Sequence, residues 1–125
     1  KLDSDVIIIN NIGMLSRLYS IASFVYIGGG FGKGIHNILE PAVYKLPVFF
    51  GPNHKKFNEA VALVDINAAF AVQNGEEMIL ICQKILSDID YRRSVTNGII
   101  QYFDQNQGAT SKILRHLTKN FKPER

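Results

Sequence analysis

The chain has 125 residues, of which 46% are hydrophobic, which is enough for one compact domain and too little for a second full one. Its net charge of +3 comes from basic residues scattered among acidic ones, so we expect no nucleic-acid partner. The single cysteine, Cys82, excludes an internal disulfide framework, and no Cys and His residues have the spacing of a structural zinc site.

Short apolar runs alternate with helical spacing of apolar residues along the chain. Runs of β-branched or aromatic residues are typical of parallel strands buried on both faces, and apolar residues three to four apart are typical of helices. In chain order the patterns predict a strand at 6–9, a helix at 14–22, a strand at 24–27, a helix at 37–44, a strand at 47–50, a helix at 56–64, a strand at 69–72, and helices at 74–86, 91–106 and 110–121.

Two of these helices carry signals at their starts. Asn37 is predicted as an N-cap, with Pro41 in the first turn or just beyond it. Asn74 is followed by a glycine and two glutamates, which predicts a cap and an acidic first turn. Strands that alternate with helices imply parallel units joined by right-handed crossovers, so the predicted fold class is α/β, a parallel Rossmann-like sheet flanked by helices.

No apolar run approaches the roughly 20 residues that a membrane-spanning helix needs, and no signal peptide is evident. We therefore expect the chain as given to be soluble. It starts at Lys1 without an initiator Met and soon enters the apolar run at Val6, which we interpret as a sign that it is a piece of a longer protein.

A loop with five glycines follows the run at 24–27, where a parallel sheet binds its ligands. Glycine lets a bulky group approach the backbone closely, at an entropic cost that a purely structural loop would avoid. The sequence therefore predicts ligand contact in this glycine loop, which consists of residues 28–34. The loops at 10–13 and 51–54 also follow strands and lie at the same edge.

The glycine loop does not match the two common phosphate motifs. A Walker A loop fails because Gly34 follows Lys33 where Ser or Thr is required. The G-x-G-x-x-G pattern fails because Lys33 and Ile35 stand where its third glycine would be. What remains is a nest of amides, a lysine and a helix N-terminus near Asn37, a combination suited to a phosphate or carboxylate. Glu40 would repel a phosphate but can accept two hydrogen bonds from a ribose diol, so the pair of sites indicates a nucleotide.

Several motifs in the first half of the chain are distinctive when taken together. They are Asn11-Ile12-Gly13-Met14-Leu15, Leu18-Tyr19, Phe24-Val25-Tyr26-Ile27-Gly28-Gly29, His36-Asn37-Ile38-Leu39-Glu40-Pro41-Ala42, Leu46-Pro47-Val48, Phe50-Gly51-Pro52 and Phe57. This set closely resembles the donor-binding half of the lipopolysaccharide Kdo transferases. The resemblance covers about residues 6–64. These enzymes are GT-B glycosyltransferases that move 3-deoxy-D-manno-octulosonic acid (Kdo) from CMP-Kdo to a lipid A precursor. The resemblance implies that residues 1–125 are part of a C-terminal nucleotide-sugar-binding domain that is truncated at its N-terminus. The core of this domain would lie at 6–88 and its C-terminal helices at 91–122.

The resemblance also implies donor-binding roles. Glu40 would hold the ribose hydroxyls of CMP, and Lys33, where many relatives carry arginine, would offset donor charge as a point cation. The other implied positions surround the phosphate and sugar acid (Gly28, Gly29, Gly30, His36 and Asn37) or border the cytosine through the backbone (Ile12, Gly13 and Met14). The loop departs from the family, being one residue shorter, and Ile35, Ile38 and Lys56 replace a usual glycine, proline and asparagine.

In this family the catalytic base and the acceptor surface belong to the N-terminal domain, and transfer requires a base within reach of the acceptor hydroxyl. We therefore expect no catalytic residue in this chain, no transferase activity from it alone, and neither a metal nor a cofactor. The full-length enzyme is expected at the cytoplasmic face of the bacterial inner membrane, because its acceptor is a lipid. Two other functions stay open: a GT-B transferase or epimerase that uses a UDP-sugar, and a non-catalytic α/β interaction domain.

Overall fold

The computed structural model describes residues 5–108 and 115–116. Helices and strands alternate through most of this part of the chain. Their bounds are α1 Leu15–Tyr19, β1 Val25–Ile27, α2 Leu39–Val43, β2 Val48–Phe50, α3 Asn58–Asp65, β3 Ala69–Ala71, α4 Gly75–Ser87 and α5 Ile89–Asn106. The predicted α/β class is confirmed.

The three strands form one parallel sheet in the order β1-β2-β3. Val48 of β2 lies opposite Val25 on one side and Ala69 on the other. All three residues of β2 are buried, as expected for the central strand of a parallel sheet covered on both faces. Because the strands are parallel, their carboxyl ends lie at one edge of the sheet, and the loops that follow them meet there.

Aromatic rings fill the centre of the core. Phe49 of β2 is fully buried and stacks on Phe70 of β3, with ring centroids 5.1 Å apart. Phe24 meets the same Phe49 ring edge-on at 5.8 Å. These are favourable arrangements for aromatic pairs, and the buried Val95 and Ile99 of α5 belong to the same cluster. The strand ends are thus held by a packed core.

Left-handed residues end two of the helices and turn the chain into the next strand. After α3, Asn67 has φ of 55° and donates its N–H to the Val64 carbonyl at 2.9 Å. The N–H of Ala68 donates to the Leu63 carbonyl at 2.8 Å, which completes a Schellman motif. After α2, Lys45 has φ of 61°, and its N–H donates to the Ala42 carbonyl at 2.8 Å.

The prediction of a buried strand at residues 6–9 is wrong. These residues belong to no strand of the described sheet, and their side chains are 39% to 88% exposed. A β-branched run shows that burial would be favourable, but a strand also needs a neighbour that supplies a hydrogen-bonded ladder, which the pattern does not specify.

Several predicted helix bounds also shift. Helix α1 is one turn and a half, shorter than the predicted 14–22, and ends at Tyr19. Asn37 is not the N-cap of α2, because Ile38 takes that place, and the Asn37 side chain instead accepts a hydrogen bond from the Leu39 N–H at 3.0 Å. Pro41 lies in the first turn as predicted. The predicted helix at 110–121 lies outside the described residues except for 115 and 116, which are helical.

Within residues 5–108 and 115–116, we find no helix with the length and apolar character needed to cross a lipid bilayer.

Candidate functional site

Three loops meet at the carboxyl edge of the sheet. The glycine loop leaves β1, residues 51–57 leave β2, and Gln73 follows β3 closely. Two hydrogen bonds join the first two loops. The backbone N–H of Asn53 donates to the Gly30 carbonyl at 2.8 Å, and its side-chain Nδ2 donates to the Gly32 carbonyl at 2.9 Å. Asn53 therefore anchors the glycine loop to the end of β2.

The glycine loop is closed by its own backbone. The carbonyl of Gly29 accepts hydrogen bonds from the N–H groups of Gly32 at 2.9 Å and Gly34 at 3.2 Å. Gly29 and Gly34 both have left-handed backbones, with φ of 90° and 138°. A ligand cannot use these two N–H groups without opening the turn, so the amide nest available to an anion is smaller than the sequence suggested.

Some of the loop glycines are required by packing and others are not. A Cβ on Gly34 would lie 2.9 Å from Cε2 of Phe57, and one on Gly30 would collide with the backbone of Gly51. A Cβ on Gly28, in contrast, would meet nothing within 4 Å, and one on Gly32 nothing nearer than 3.7 Å. Gly28 therefore leaves open space at the end of β1 that the fold itself does not need.

His36 lies beside this open space. Its N–H donates to the Gly28 carbonyl at 3.3 Å, and its Cδ2 would lie 3.4 Å from a Cβ on Gly29. The structure thus brings Gly28, Gly29 and His36 together. The exposed Asn37 has its Oδ1 engaged by the Leu39 N–H, which leaves its Nδ2 to donate to a ligand.

Helix α2 contributes less to anion binding than the sequence suggested. It has five residues, too few for a substantial macrodipole, and the Leu39 N–H at its start already donates to Asn37. Glu40 is the second residue of this helix, and its side chain is exposed. Charge recognition at this end of the site therefore depends on side chains more than on the helix terminus.

Glu40 is electrostatically linked to α1. Tyr19, at the end of α1, is 6% exposed. Burial raises the pKa of its phenol, and the negative charge of Glu40 raises that pKa further. The segment of residues 12–14 immediately precedes α1.

The segment of residues 12–14 is a surface turn. Ile12 is fully exposed, and Gly13 has φ of 95° with nothing within 4 Å of a Cβ built on it. Met14 is the N-cap residue of α1, and its Sδ accepts a hydrogen bond from Asn11 Nδ2 at 3.2 Å. Among the residues that the structure describes, no hydrogen bond joins this turn to the glycine loop.

A basic pocket opens on the other side of the glycine loop. We use this name for the cavity of about 630 Å³ whose lining includes Lys33, Asn53, His54, Lys55, Lys56 and Gln73. It brings Lys33, a predicted donor-binding residue, next to lysines that the sequence did not mark as functional. Lys55 and Lys56 lie here because their loop follows β2 and so begins at the carboxyl edge of the sheet. The Gly51-Pro52-Asn53 turn, which marks the end of that strand, is the sequence signal that could have predicted this position.

In the described part of the chain, no three His, Cys, Asp or Glu side chains are close enough to hold a metal ion. The side chains at the carboxyl edge are amides, imidazoles and lysines, with Glu40 as one acid and the Glu77 carboxylate accepting from the Gln73 N–H at 2.7 Å as another. Such a set is suited to hydrogen bonding with a polar organic anion.

Together, the parallel sheet and the glycine loop at its carboxyl edge define a Rossmann-like ligand-binding domain. No family model matches the chain. It is 30% identical over 123 residues to the 3-deoxy-D-manno-octulosonic acid transferase of Rickettsia bellii, which covers 96% of this chain and 29% of that protein. It is 34% identical over 89 residues to the enzyme of the same name from Aquifex aeolicus, covering 70% of this chain and 25% of that protein.

A solved structure agrees with these relatives. The C-terminal CMP-Kdo binding domain of WaaA from Acinetobacter baumannii superposes with a TM-score of 0.65 at 26% identity, over 73% of this chain and 49% of that chain. The chain belongs to the 3-deoxy-D-manno-octulosonic acid transferase family, which confirms the resemblance seen in its motifs. It spans less than a third of the length of the curated relatives it matches.

Proposed function

We propose that this chain is the donor-binding part of a glycosyltransferase that moves Kdo from CMP-Kdo to a lipid A precursor in lipopolysaccharide biosynthesis. The observation that carries the proposal is the similarity to the CMP-Kdo binding domain from Acinetobacter baumannii, at a TM-score of 0.65. The glycine loop at the carboxyl edge of the sheet supports it, because ligands of parallel sheets bind there.

In this proposal the donor extends across the end of β1. Its phosphate lies in the open space at Gly28, near Gly29, Gly30, His36 and the free Nδ2 of Asn37. The ribose lies at Glu40, whose exposed carboxylate accepts hydrogen bonds from both hydroxyls. The cytosine lies against the turn of Ile12, Gly13 and Met14, while Lys33 balances negative charge on the other side of the loop.

The rest of the reaction belongs to a longer protein with the GT-B architecture. In that protein the catalytic base and the lipid-acceptor surface come from the N-terminal domain, and the enzyme works at the cytoplasmic face of the bacterial inner membrane. No residue of this chain is proposed as catalytic, and the 125 residues alone are proposed to bind the donor without transferring sugar. Turnover of CMP-Kdo by the purified chain would contradict this division of labour.

The first test is calorimetric titration of the chain with CMP. We expect Glu40→Ala to weaken CMP binding by about tenfold or more, because the ribose loses hydrogen bonds to a charged acceptor. Glu76→Ala is the matched control. Glu76 is also exposed and also the second residue of its helix, so its removal changes the net charge and the helix terminus in the same way. If Glu40→Ala and Glu76→Ala change the affinity for CMP equally, Glu40 does not bind the ribose.

A second test uses the open space at Gly28. Gly28→Ala adds a methyl group that meets no protein atom within 4 Å, so the fold should tolerate it while the ligand should not. Gly32→Ala is the control in the same loop, because its methyl group would also find room. We expect the first variant alone to lose CMP binding, and retained binding by both would place the phosphate elsewhere.

Titration with UMP and UDP separates the alternatives. A GT-B transferase or epimerase that uses a UDP-sugar would bind UDP more tightly than CMP, whereas the proposal expects the opposite order. A non-catalytic α/β interaction domain would bind none of these nucleotides at millimolar concentration. If the chain binds none of these nucleotides, the titrations are repeated with the longer protein. Absence of nucleotide binding by that protein as well would contradict the proposal.

A further inference from the structure

A cavity also opens at the amino edge of the sheet, where the strands begin. We call it the amino-edge cavity; it has a volume of about 440 Å³, and its lining includes Tyr19, Ser23, Tyr44, Lys45, Arg92 and Thr96. The starts of two strands are joined beside it, because the N–H of Val25 donates to the Pro47 carbonyl at 3.0 Å. Its volume lies within the range of about 300 to 1,000 Å³ that is typical of small-molecule sites.

The amino-edge cavity carries unbalanced positive charge. Among the described residues that line it, Lys45 and Arg92 are charged and none is acidic. Within residues 5–108 and 115–116 the ion pair within 4 Å joins Arg93 to Asp90, so neither cation meets a carboxylate at contact distance. Arg93 and Asp90 line a neighbouring cavity on α5, whose charge is balanced by that pair. The amino-edge cavity therefore favours an anionic occupant.

Hydrogen-bond donors accompany the two cations. Arg92 and Thr96 are four residues apart on α5 and so share one face of the helix. The hydroxyls of Ser23 and Thr96 make no hydrogen bond within the described part of the chain, so both can donate to a ligand. A guanidinium presents a planar fork that matches two oxygens of a phosphate. Arg92, Lys45 and the two hydroxyls are thus suited to a phosphate group.

The cavity has room for more than a bare phosphate ion, which would fill only part of its volume. Two phenol rings form one wall, with the centroids of Tyr19 and Tyr44 5.7 Å apart. Tyr19 is 6% exposed, whereas Tyr44 is 41% exposed and presents ring surface to the cavity. Aromatic surface of this kind packs against the carbon skeleton of a ligand.

From these observations we infer that the amino-edge cavity is a binding site for an organic phosphate. The phosphate group lies at Lys45 and Arg92, and the carbon skeleton packs against the Tyr44 ring. The cavity lies at the amino ends of the strands, whereas the glycine loop follows the carboxyl end of β1, so the inference does not rest on the proposed function. The same phosphate chemistry is found in soluble esters and in lipid head groups.

The test is calorimetric titration of the chain with phenyl phosphate, which carries a phosphate monoester on a ring. We expect Arg92→Gln to weaken its binding by about tenfold or more, because charge-assisted hydrogen bonds are lost. Lys45→Asn should also weaken binding, and it suits the left-handed backbone of that position. Arg93→Gln is the matched control, since Arg93 is the next residue of the same helix, is exposed and carries the same charge. It should change the affinity by less than about twofold.

Three results would overturn the inference. The first is equal weakening by Arg92→Gln and Arg93→Gln, which would indicate a general effect of net charge. The second is displacement of phenyl phosphate by CMP, which would place it at the carboxyl edge. The third is absence of binding at millimolar concentration. Unchanged circular dichroism of the variants excludes misfolding as the cause of a loss.

A further arm identifies the source of the phosphate group. The chain is sedimented with phosphatidylcholine vesicles that contain phosphatidic acid. Binding to these vesicles that Arg92→Gln abolishes and Arg93→Gln does not would support the inference and assign a lipid head group. Binding of phenyl phosphate that depends on Arg92, without binding to the vesicles, would support it and assign a soluble ester.

Discussion

Gly30 and Gly51 lie backbone against backbone where β1 and β2 end. A Cβ on Gly51 would lie 2.5 Å from the carbonyl carbon of Gly30 and 2.7 Å from its oxygen. The neighbouring strand residues, Ile27 and Phe50, are paired in the sheet. The two glycines thus continue the approach of the two strands beyond the ladder, at a spacing that no side chain permits.

Substitution of either glycine should therefore destabilise the domain. We expect Gly30→Ala to lower the free energy of unfolding by about 1 to 3 kcal/mol, because the methyl group forces two backbones apart. Gly32→Ala, which has room for its methyl group, should be neutral or slightly stabilising. Urea denaturation of the three proteins measures the difference, and equal stabilities would show that the loops separate without cost.

Loss of the Asn53 side chain should loosen the glycine loop. Asn53→Ala removes the hydrogen bond from Nδ2 to the Gly32 carbonyl, which is worth about 1 kcal/mol or less because Asn53 is exposed. Asn53→Asp keeps the size of the side chain but places a carboxylate against a carbonyl, so it should be at least as unstable. Amide hydrogen exchange should increase at Gly32 and Gly34 in both variants, while exchange in α5 should not change.

The phenol of Tyr19 should report the charge of Glu40. Its pKa lies above the ordinary value of 10.0, first because of burial and second because of Glu40. We expect Glu40→Gln to lower this pKa but to leave it above the ordinary value, since burial is the larger cause. The absorbance difference on alkaline titration, with and without Tyr19→Phe, isolates this phenol. If Glu40→Gln leaves the pKa of the Tyr19 phenol unchanged, the two residues do not interact electrostatically.

The same phenol should contribute to alkaline unfolding. The pKa of the phenol is higher in the folded state than in the unfolded state. The contribution of Tyr19 to the free energy of unfolding is therefore fully present below about pH 10 and is lost as pH rises through the folded-state pKa. The free energy of unfolding of wild-type protein should fall above pH 10 more steeply than that of Tyr19→Phe. Parallel profiles would show that Tyr19 titrates alike in both states.

Asp88 should stabilise α5 as its cap. Its Oδ1 accepts from the N–H groups of Asp90 at 3.0 Å and Tyr91 at 2.9 Å. We expect Asp88→Ala to cost about 1 kcal/mol in thermal or urea unfolding, and Asp88→Asn, which keeps the acceptor, to cost much less. A loss of equal size in both would indicate a role for the charge rather than for the cap.

The sequence predicted the parts of the fold that depend on local pattern. The runs that contain β1, β2 and β3 form the parallel sheet as predicted, and Asn74 caps α4 by accepting from the Glu77 N–H at 2.9 Å. The burial predicted for β1 is wrong, because β1 lies at the edge of the sheet and its Tyr26 is 43% exposed. The run at residues 6–9 has equal β character but lies outside the sheet, because pairing depends on a neighbour and not on composition. Local pattern identified the elements without specifying which of them pair.

The candidate site, too, was predicted only in part from the sequence. The glycine loop was recognised from its composition, but its glycines were interpreted as room for a ligand. The structure shows that Gly30 and Gly34 are required by the packing of Gly51 and Phe57, whereas Gly28 and Gly32 have room for a side chain. Contacts between residues about twenty positions apart decided this, and they are absent from any local motif. The place of Lys55 and Lys56 in the lining of the basic pocket could not be predicted for the same reason, since it depends on which loops face each other.

The order β1-β2-β3 has a consequence for how the domain is made. Each strand pairs with the next one along the chain, and paired residues are roughly twenty positions apart, so each closure is short and carries a small entropic cost. A chain that leaves the ribosome from its N-terminal end can pair β1 with β2 before β3 has been synthesised. We therefore expect the glycine loop and its partner at Gly51 to come together early in translation, ahead of the helices that later cover the sheet.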